Sequence, residues 1–317
     1  MSAPIRVAVI GGAFARTGIA PAYGRNERYR VVEVLSSRDA SAVAQLCARK
    51  DIDLVSIHAA PHQHREIVDR ALDAGHHVVC DKPFSATIAD AEHLAARAAS
   101  HPGLALVTFE FRYQPWRDAV RTLLATGALG RLESVDWVEH HGSWRDRADG
   151  WQLDRALGGG WLGAMVAHIL DTIRWWAGDL VVLTASHDGD PGERGAAERA
   201  CELVLSTQDG RARASVVARG ASSITSGPRV LIVGERAALQ FDGSLVLHGL
   251  PWPDDVPRPA DEPAFPQLLD RWCAGVADAI TSGVVDPALA TFADGLAWAR
   301  LREQFYAAAR VHMGSAN

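Results

Sequence analysis

The chain has 317 residues, of which 48% are hydrophobic and 22% are charged, and its formal net charge is −6. These values are ordinary for a globular protein, and a chain of this length usually divides into two domains. The acidic balance and the scattered cations give no basic surface for nucleic acid or an anionic membrane, so we expect neither partner. We also expect no apolar run as long as a bilayer span.

The positions of the cysteines and histidines indicate which cellular compartment and which metal binding to expect. The cysteines lie far apart without zinc-like spacing, so we expect reduced, buried thiols. The N-terminus runs straight into a strand pattern, without a leader-like segment, and we therefore expect a cytoplasmic protein. No carboxylate or cysteine completes a ligand set around the paired or nearby histidines, so we expect no metal site at His62, His64, His76, His77, His140 or His141.

The first third of the chain alternates short apolar runs with helical patterns. Strand-like runs cover residues 5–12, 29–37, 52–60, 75–81 and 103–111, and helical patterns cover 41–50, 63–74 and 88–99. Strands that alternate with helices predict an α/β fold, with a parallel sheet and right-handed crossovers. We therefore predict a Rossmann-type, doubly wound dinucleotide-binding domain over residues 1–116.

The texture changes after that point, where runs such as 131–142 and 201–210 alternate apolar and polar residues. Alternation of this kind is typical of antiparallel strands with one solvated face. We expect helices at 163–176, 266–280 and 287–310, and a proline-rich surface loop at 249–266. The sequence thus predicts an α+β domain with a mostly antiparallel open sheet over residues 117–317.

The first strand runs into a glycine turn that begins at Gly11. In a GxGxxG fingerprint the second and third glycines would stand at Ala13 and Arg16, so the pattern is degenerate. A tight turn at a strand end explains it nearly as well as a pyrophosphate site does. If a dinucleotide binds, its phosphates would meet Gly11, Gly12, Ala13, Phe14 and Arg16.

The second strand ends in Ser36-Ser37-Arg38. A site for NAD(H) favours a carboxylate here, whereas a 2′-phosphate favours hydroxyls and a cation. A polar turn with a solvated arginine is the alternative. If a nucleotide binds, the sequence favours NADP(H) over NAD(H).

Several motifs, in order, resemble the Gfo/Idh/MocA oxidoreductases, the glucose–fructose oxidoreductase and inositol dehydrogenase group. ALDAGHHVVCDKPF (71–84) resembles the family's LEAGKHVLVEKP, with Asp81 in place of the usual Glu. DIDLVSI followed by PHQH, FEFRYQPW, GGGWLGAMVAHILDTIRW and TFADGLAWAR resemble further family segments across nearly the whole chain. The resemblance implies an NAD(P)-dependent oxidoreductase that acts on CH–OH or C=O groups.

The resemblance also implies site residues. Lys82 would lie beside the nicotinamide and exchange a proton with the substrate, and its peptide bond to Pro83 is often cis in the family. A solvated lysine at a strand end is the alternative, but ligands of parallel sheets bind at the carboxyl ends of strands, which favours the functional interpretation. His168 would assist, although a lone histidine on an apolar helix is more often a core residue. The other implied residues are Ala60, Pro61, His64 and Asp81 for the cofactor, and Glu110, Arg112, Trp144, Trp161 and Asp171 for the substrate. For the tryptophans, structural packing is an equal alternative.

Two departures from the family pattern matter. Ala164 stands where the family's D-x-G-x-H motif has its aspartate, which puts an inositol-type proton relay in doubt. Only one helix fits between Arg38 and Asp51, so the sheet should be shortened after strand 2. We expect an NADP(H)-dependent enzyme for a sugar- or polyol-like substrate, forming a homodimer or homotetramer through the C-terminal-domain sheet. A nucleotide-sensing regulator, or an enzyme that recycles a tightly held cofactor, remains open.

Overall fold

The computed structural model describes residues 3–142, 144, 148–189, 197–220 and 224–311. The chain forms two compact units. The first comprises Met1–Tyr113 with Pro263–Ala299, and the second comprises Gln114–Glu262 with Arg300–Asn317. The sequence predicted one boundary, at residue 116, whereas these units divide after Tyr113, Glu262 and Ala299.

The first unit is built on a six-stranded sheet. Its strands are β1 (Ile5–Gly11), β2 (Tyr29–Leu35), β3 (Leu54–His58), β4 (His77–Asp81), β5 (Ala105–Thr108) and the short β13 (Ala290–Thr291). The order is β13-β5-β4-β3-β1-β2, and all pairs are parallel except β13 with β5. The predicted Rossmann-type parallel sheet is confirmed.

Helices connect these strands: α1 (Ala20–Arg25), α2 (Ala40–Cys47), α3 (Pro61–Asp73) and α4 (Ile88–Ala99). A single helix, α2, separates β2 from β3, and β2 lies at the edge of the sheet. The shortening predicted between Arg38 and Asp51 is therefore present. Every residue of β3 is buried, as expected for a strand covered on both faces.

Helix α7 (Phe265–Ser282) explains why residues 263–299 join the first unit. Its apolar side chains, including Leu269 and Trp272, pack with Val7 and Tyr23 in one core. The hydroxyl of Tyr29 donates to the carbonyl of Cys273 at 2.7 Å. The sequence identifies α7 as an amphipathic helix, but its partner is a sheet more than 200 residues earlier, which local patterns do not reveal.

The second unit contains an eight-stranded sheet ordered β12-β11-β10-β6-β9-β8-β7-β14. The strands are β6 (Leu132–His140), β7 (Leu180–His187), β8 (Ala200–Thr207), β9 (Arg213–Arg219), β10 (Ser226–Gly234), β11 (Ala238–Asp242), β12 (Leu245–His248) and β14 (Ala309–Val311). Most pairs are antiparallel, as predicted; β6 with β9 and β7 with β14 are parallel. Helices α5 (Pro115–Ala125) and α6 (Ala167–Ala177) belong to this unit, and α8 (Phe292–Ala308) divides between the units after residue 299.

One helical stretch among the described residues, Arg155–Ala177, is long and apolar enough to cross a membrane by length and composition alone. We expected no such run from the sequence. Within its most apolar window, 78% is buried inside the protein. Core helices of globular proteins pass the same test, and this stretch contributes Leu162, Ile169 and Ile173 to the core of the second unit.

Candidate functional site

The carboxyl edge of the first sheet brings β1 and β3 very close together. A Cβ added to Gly11 would lie 2.2 Å from the carbonyl oxygen of His58, so only glycine fits there. The N–H of Gly12 donates to the same oxygen at 3.4 Å. Beyond this contact Gly12, Ala13 and Arg16 are exposed. The degenerate fingerprint thus retains the glycine that the strand geometry requires.

The end of β2 carries hydroxyls and an unpaired cation. Ser37 Oγ donates to Gln63 Oε1 at 3.0 Å, which ties this turn to the first turn of α3. Arg38 is exposed and forms no salt bridge within the described part of the chain. The neighbouring Asp39 carboxylate accepts the N–H of Ala42 at 2.9 Å and caps α2. The acid nearest to Ser36-Ser37-Arg38 is therefore already engaged.

The end of β4 carries the Asp81-Lys82-Pro83 motif, and the Lys82–Pro83 peptide bond is cis. Asp81 is buried, and its Oδ1 accepts the backbone N–H of Lys82 at 2.9 Å. Its Oδ2 lies 3.1 Å from Nδ1 of His58 at the end of β3. Lys82 is half-buried. The structure thus places Lys82 at the carboxyl end of β4, the end at which parallel sheets bind ligands, and beside a carboxylate of fixed orientation.

Three of the predicted cofactor residues, Ala60, Pro61 and His64, lie at the N-terminal end of α3. Helix α3 begins at Pro61, with Ala60 as its N-cap residue. The ring nitrogens of His64 lie 3.1 Å from the carbonyl oxygen of Phe84 and 3.0 Å from that of Ala59. Burial lowers the pKa of His64. Its side chain therefore joins the β3–α3 turn to the segment that follows Lys82.

Glu110 and Arg112 lie in a short helical turn, Glu110–Tyr113, and both are buried. Arg112 forms an ion pair with Asp294 at 3.1 Å. The other oxygen of Asp294 accepts the N–H of Thr291 at 2.7 Å, next to β13. Arg112 thus anchors the segment around β13 within the first unit.

In the second unit, His168 and Asp171 are buried on α6. The carbonyl oxygen of His168 accepts from Thr172 Oγ1 at 2.7 Å and from Arg117 Nη1 at 3.3 Å. Arg117, which also donates to Thr172 Oγ1, lies 5.1 Å and 5.0 Å from the ring centres of Trp116 and Trp137. Arg117 could not be singled out from the sequence, because it resembles a surface cation on an amphipathic helix.

The predicted aromatic residues pack together. Trp161 is only 2% exposed and belongs to the core of the second unit. Its ring lies 5.3 Å from that of Trp144 and 5.2 Å from that of His141. A Cβ on Gly220 would lie 2.6 Å from the Trp161 ring. This placement favours the packing alternative for Trp161.

Glu198 is a second residue that the sequence interpretation missed. Its buried carboxylate accepts the N–H of Leu162 at 2.8 Å and the hydroxyl of Tyr306 at 2.9 Å. Its carbonyl oxygen accepts the N–H of Trp161 at 2.8 Å. Burial raises the pKa of Glu198. The residue therefore fixes the glycine-rich segment before α6, although its local sequence resembles an exposed strand start.

No group of three or more histidine, cysteine or acidic side chains suited to a metal ion occurs among the described residues. All the cysteines, Cys47, Cys80, Cys201 and Cys273, are free and buried. The polar groups that the structure gathers at the edge of the first sheet are backbone amides, hydroxyls, His58, Asp81 and Lys82.

Two family models match the chain. The model described as oxidoreductase family, NAD-binding Rossmann fold, covers residues 5–109, and the model of the GFO/IDH/MocA C-terminal domain covers residues 118–240. Among curated relatives, the 1,5-anhydro-D-fructose reductase of Ensifer adhaerens is 30% identical over 162 residues, 50% of this chain and 48% of that protein. The levoglucosan dehydrogenase of Pseudarthrobacter phenanthrenivorans is 27% identical over 142 residues, 43% of this chain and 35% of that protein. The match thus spans about half the length, or less, of these relatives.

Solved structures match over nearly the whole chain. A levoglucosan dehydrogenase in complex with NADH and L-sorbose has a TM-score of 0.83 at 18% identity, and the match covers 97% of each chain. The aldose-aldose oxidoreductase of Caulobacter crescentus, complexed with glycerol, has a TM-score of 0.78 at 24% identity, over 96% of this chain and 97% of that one. These likenesses show the shared fold. With family models matching both units, the chain belongs to the Gfo/Idh/MocA family of oxidoreductases.

Proposed function

We propose that this protein is an NADP(H)-dependent oxidoreductase that interconverts a carbinol and a carbonyl group on a small sugar- or polyol-like substrate. The observation that carries the proposal is Lys82, which follows Asp81 at the carboxyl end of β4, where the sequence resemblance implies a proton-transfer lysine. The bound cofactor supplies hydride chemistry; the protein supplies orientation and charge.

Lys82 is the proposed proton-transfer group. In the oxidative direction the substrate hydroxyl gives its proton to the Lys82 amine while hydride leaves the carbinol carbon. In the reductive direction the Lys82 ammonium returns a proton to the carbonyl oxygen as hydride arrives at carbon. His168, with Asp171 on the same helix, is the proposed assisting group. Arg112 and Trp161 are buried, so we assign each of them a packing role within its own unit.

The preference for NADP(H) rests on the end of β2. Arg38 is exposed there beside two serines, and Asp39 is engaged as the cap of α2. A ribose 2′-phosphate is better served by a guanidinium and hydroxyls than a free 2′-hydroxyl would be. We assign the pyrophosphate to the exposed glycine turn, at Gly12, Ala13 and Phe14, with Arg16 near a phosphate.

The substrate class is argued from the relatives. The curated relatives are named for an anhydro-sugar substrate, and the solved structures hold L-sorbose and glycerol. All are polyhydroxylated. The replacement of the motif's aspartate by Ala164 supports a substrate other than inositol, because the alanine cannot accept a hydrogen bond from a substrate hydroxyl.

We further propose a homodimer or homotetramer formed through the sheet of the second unit. Large apolar side chains on that sheet are 36–46% exposed, among them Val181, Leu183, Val204, Leu231 and Val246. Val204, Leu231 and Val246 share one face of the sheet with polar residues between them, and we take this mixed, exposed face as the interaction surface. Val204→Lys with Leu231→Lys should dissociate the oligomer in analytical ultracentrifugation. A cytoplasmic location is proposed from the free, buried cysteines.

The test is turnover of keto-sugars and polyols with added NADPH or NADP⁺, followed by nicotinamide absorbance. Lys82→Met should abolish turnover, whereas Lys50→Met, at the other lysine of the sequence, should not. Unchanged turnover in Lys82→Met would refute the proposed role.

A second candidate, a nucleotide-sensing regulator, is favoured by Ala164. It predicts nucleotide binding without turnover of any substrate. An enzyme that recycles its own cofactor predicts instead that nucleotide co-purifies with the protein and that turnover needs no added NADP(H).

A further inference from the structure

A row of polar side chains runs through the interior of the first unit and ends at the Asp81-Lys82 motif. The hydroxyl of Tyr23 lies 3.1 Å from Ser56 Oγ, and Ser56 Oγ lies 2.8 Å from His58 Nε2. His58 Nδ1 lies 3.1 Å from Asp81 Oδ2. All four side chains are buried. Burial of polar groups is costly unless they are paired, so this row needs an explanation.

The chemistry of the end groups sets the direction of donation along the row. Asp81 Oδ2 lies at ion-pair distance from His58 Nδ1, and no hydrogen bond joins the two atoms. The negative charge of the carboxylate still favours the His58 tautomer with a proton on Nδ1. The other nitrogen, Nε2, then accepts from Ser56, whose oxygen accepts from Tyr23. Burial raises the pKa of Tyr23 well above its ordinary value, which keeps its hydroxyl a donor. The two hydrogen bonds of the row therefore both run toward His58.

The row connects to Lys82 through a single carboxylate. Asp81 Oδ2 lies against His58, while Asp81 Oδ1 accepts the backbone N–H of Lys82 at 2.9 Å. On its other side the His58 ring meets the edge of Phe14, with ring centres 5.8 Å apart. The imidazole is thus held by Phe14, Ser56 and Asp81, and a shift of the imidazole would free the carboxylate that orients the Lys82 backbone.

We propose that His58 is a positioning residue for Lys82, acting through the Asp81 carboxylate. The proposal rests on the proposed role of Lys82 in proton transfer. His58 touches neither substrate nor cofactor in this account. It sets the direction in which the lysine leaves β4, and so the distance between the amine and the reacting oxygen. A misplacement on the order of 1 Å can cost about 100-fold in rate.

The kinetic test compares His58→Ala with His58→Asn. The alanine variant should lose about 10- to 100-fold in kcat, with KM and NADPH affinity unchanged, because only the positioning of the amine is lost. Asparagine should restore most of kcat, since its amide N–H can stand where the Nδ1–H of His58 does. Without rescue by asparagine, the proposal is overturned.

The matched control is His76→Ala. His76 lies just before the start of β4 and is also buried. Its ring nitrogens lie 3.1 Å from the carbonyl oxygen of Ile52 and 2.8 Å from that of Cys47. This variant should lose stability and keep kcat. If His76→Ala lowers kcat as much as His58→Ala does, the effect is general destabilisation and the positioning role is wrong.

A spectroscopic test needs no substrate. Reductive methylation with ¹³C-formaldehyde labels the amines of Lys82 and Lys50 and the N-terminal α-amine, and Lys50→Arg and Lys82→Arg assign the two lysine signals. His58→Ala should shift the Lys82 signal and leave the Lys50 signal in place; an unmoved Lys82 signal overturns the proposal. Turnover by Lys82→Met would overturn the proposed function. If Lys82→Met is inactive but His58→Ala keeps full activity, only the positioning role of His58 is overturned.

Discussion

The carboxylate of Glu198 occupies the space that a side chain at Gly160 would need. A Cβ built on Gly160 would lie 2.2 Å from Glu198 Oε1, and the φ angle of Gly160 is +110°. Both the close approach and the backbone conformation therefore require glycine. The same carboxylate accepts the N–H of Leu162, so Gly160 and Glu198 together shape the segment that leads into α6 and His168.

Replacement of Gly160 by alanine should lower the free energy of unfolding by about 2–4 kcal/mol, because it adds both backbone strain and a clash with Glu198. Urea denaturation measures the change. Gly210→Ala is the control, since Gly210 has φ +72° but nothing within 4 Å of its added Cβ. It should lose only about 1–2 kcal/mol. Equal losses in the two variants would contradict the close packing of Glu198 on Gly160.

Glu198→Gln should change how stability depends on pH. Burial raises the pKa of Glu198 in the folded protein, so folding favours its protonated form. The wild-type free energy of unfolding therefore carries a penalty that grows as pH rises from the unfolded pKa, about 4.3, through the raised folded pKa. Glutamine can accept from Leu162 with its amide oxygen and donate from its amide nitrogen to the hydroxyl oxygen of Tyr306, but it cannot ionise.

Relative to wild type, Glu198→Gln should thus become more stable as pH is raised from about 4 to about 7. Urea denaturation at both pH values gives the comparison. A stability difference that stays constant over this range, or that moves in the opposite direction, would show that the Glu198 pKa is not raised in the folded protein.

Arg117→Lys should destabilise the second unit by about 2–3 kcal/mol, because an ammonium cannot reproduce the planar guanidinium beside Trp116 and Trp137. It would also weaken donation to the carbonyl oxygen of His168. Arg121→Lys, at a partly exposed arginine over Trp175, should cost much less. Thermal unfolding of both variants measures the two losses of stability. A smaller loss for Arg117→Lys than for Arg121→Lys would contradict the buried role of Arg117.

The native protein should resist thiol reagents. Burial raises the pKa of Cys47 to about 11 and the pKa values of Cys80 and Cys201 well above the ordinary value. Since the thiolate is the reactive form, a chromogenic disulfide should label these thiols slowly in buffer and quickly in urea. Rapid labelling of the folded protein would show that at least one of them is accessible.

The sequence predicted those features that local patterns encode. Apolar runs alternating with helical patterns predicted the parallel sheet, and the short interval between Arg38 and Asp51 predicted a sheet shortened after strand 2. The Asp81-Lys82-Pro83 motif marked the end of β4 because charge follows directly on a buried strand.

What the sequence did not predict depends on contacts between distant segments. Glu198 and Arg117 resemble surface charges, because burial of a charge is decided by partners such as Tyr306 and Thr172. The row from Tyr23 to Asp81 joins residues on two strands and one helix, and no spacing rule links them. The same is true of α7, whose apolar face is evident but whose partner sheet is not.

The measurement that tests the central claim most directly is a titration of the purified protein with NADPH and with NADH, read by quenching of tryptophan fluorescence. We predict that NADPH binds more tightly than NADH. Arg38→Ala should weaken the affinity for NADPH by about 10- to 100-fold, because a charge-assisted contact of about 1.5–3 kcal/mol is lost. The affinity for NADH should not change. The control variant Arg30→Ala, at an exposed arginine of β2, should change neither the affinity for NADPH nor the affinity for NADH. Absence of binding by either nucleotide would contradict the proposed oxidoreductase, and equal binding that Arg38→Ala leaves unchanged would contradict its preference for NADP(H).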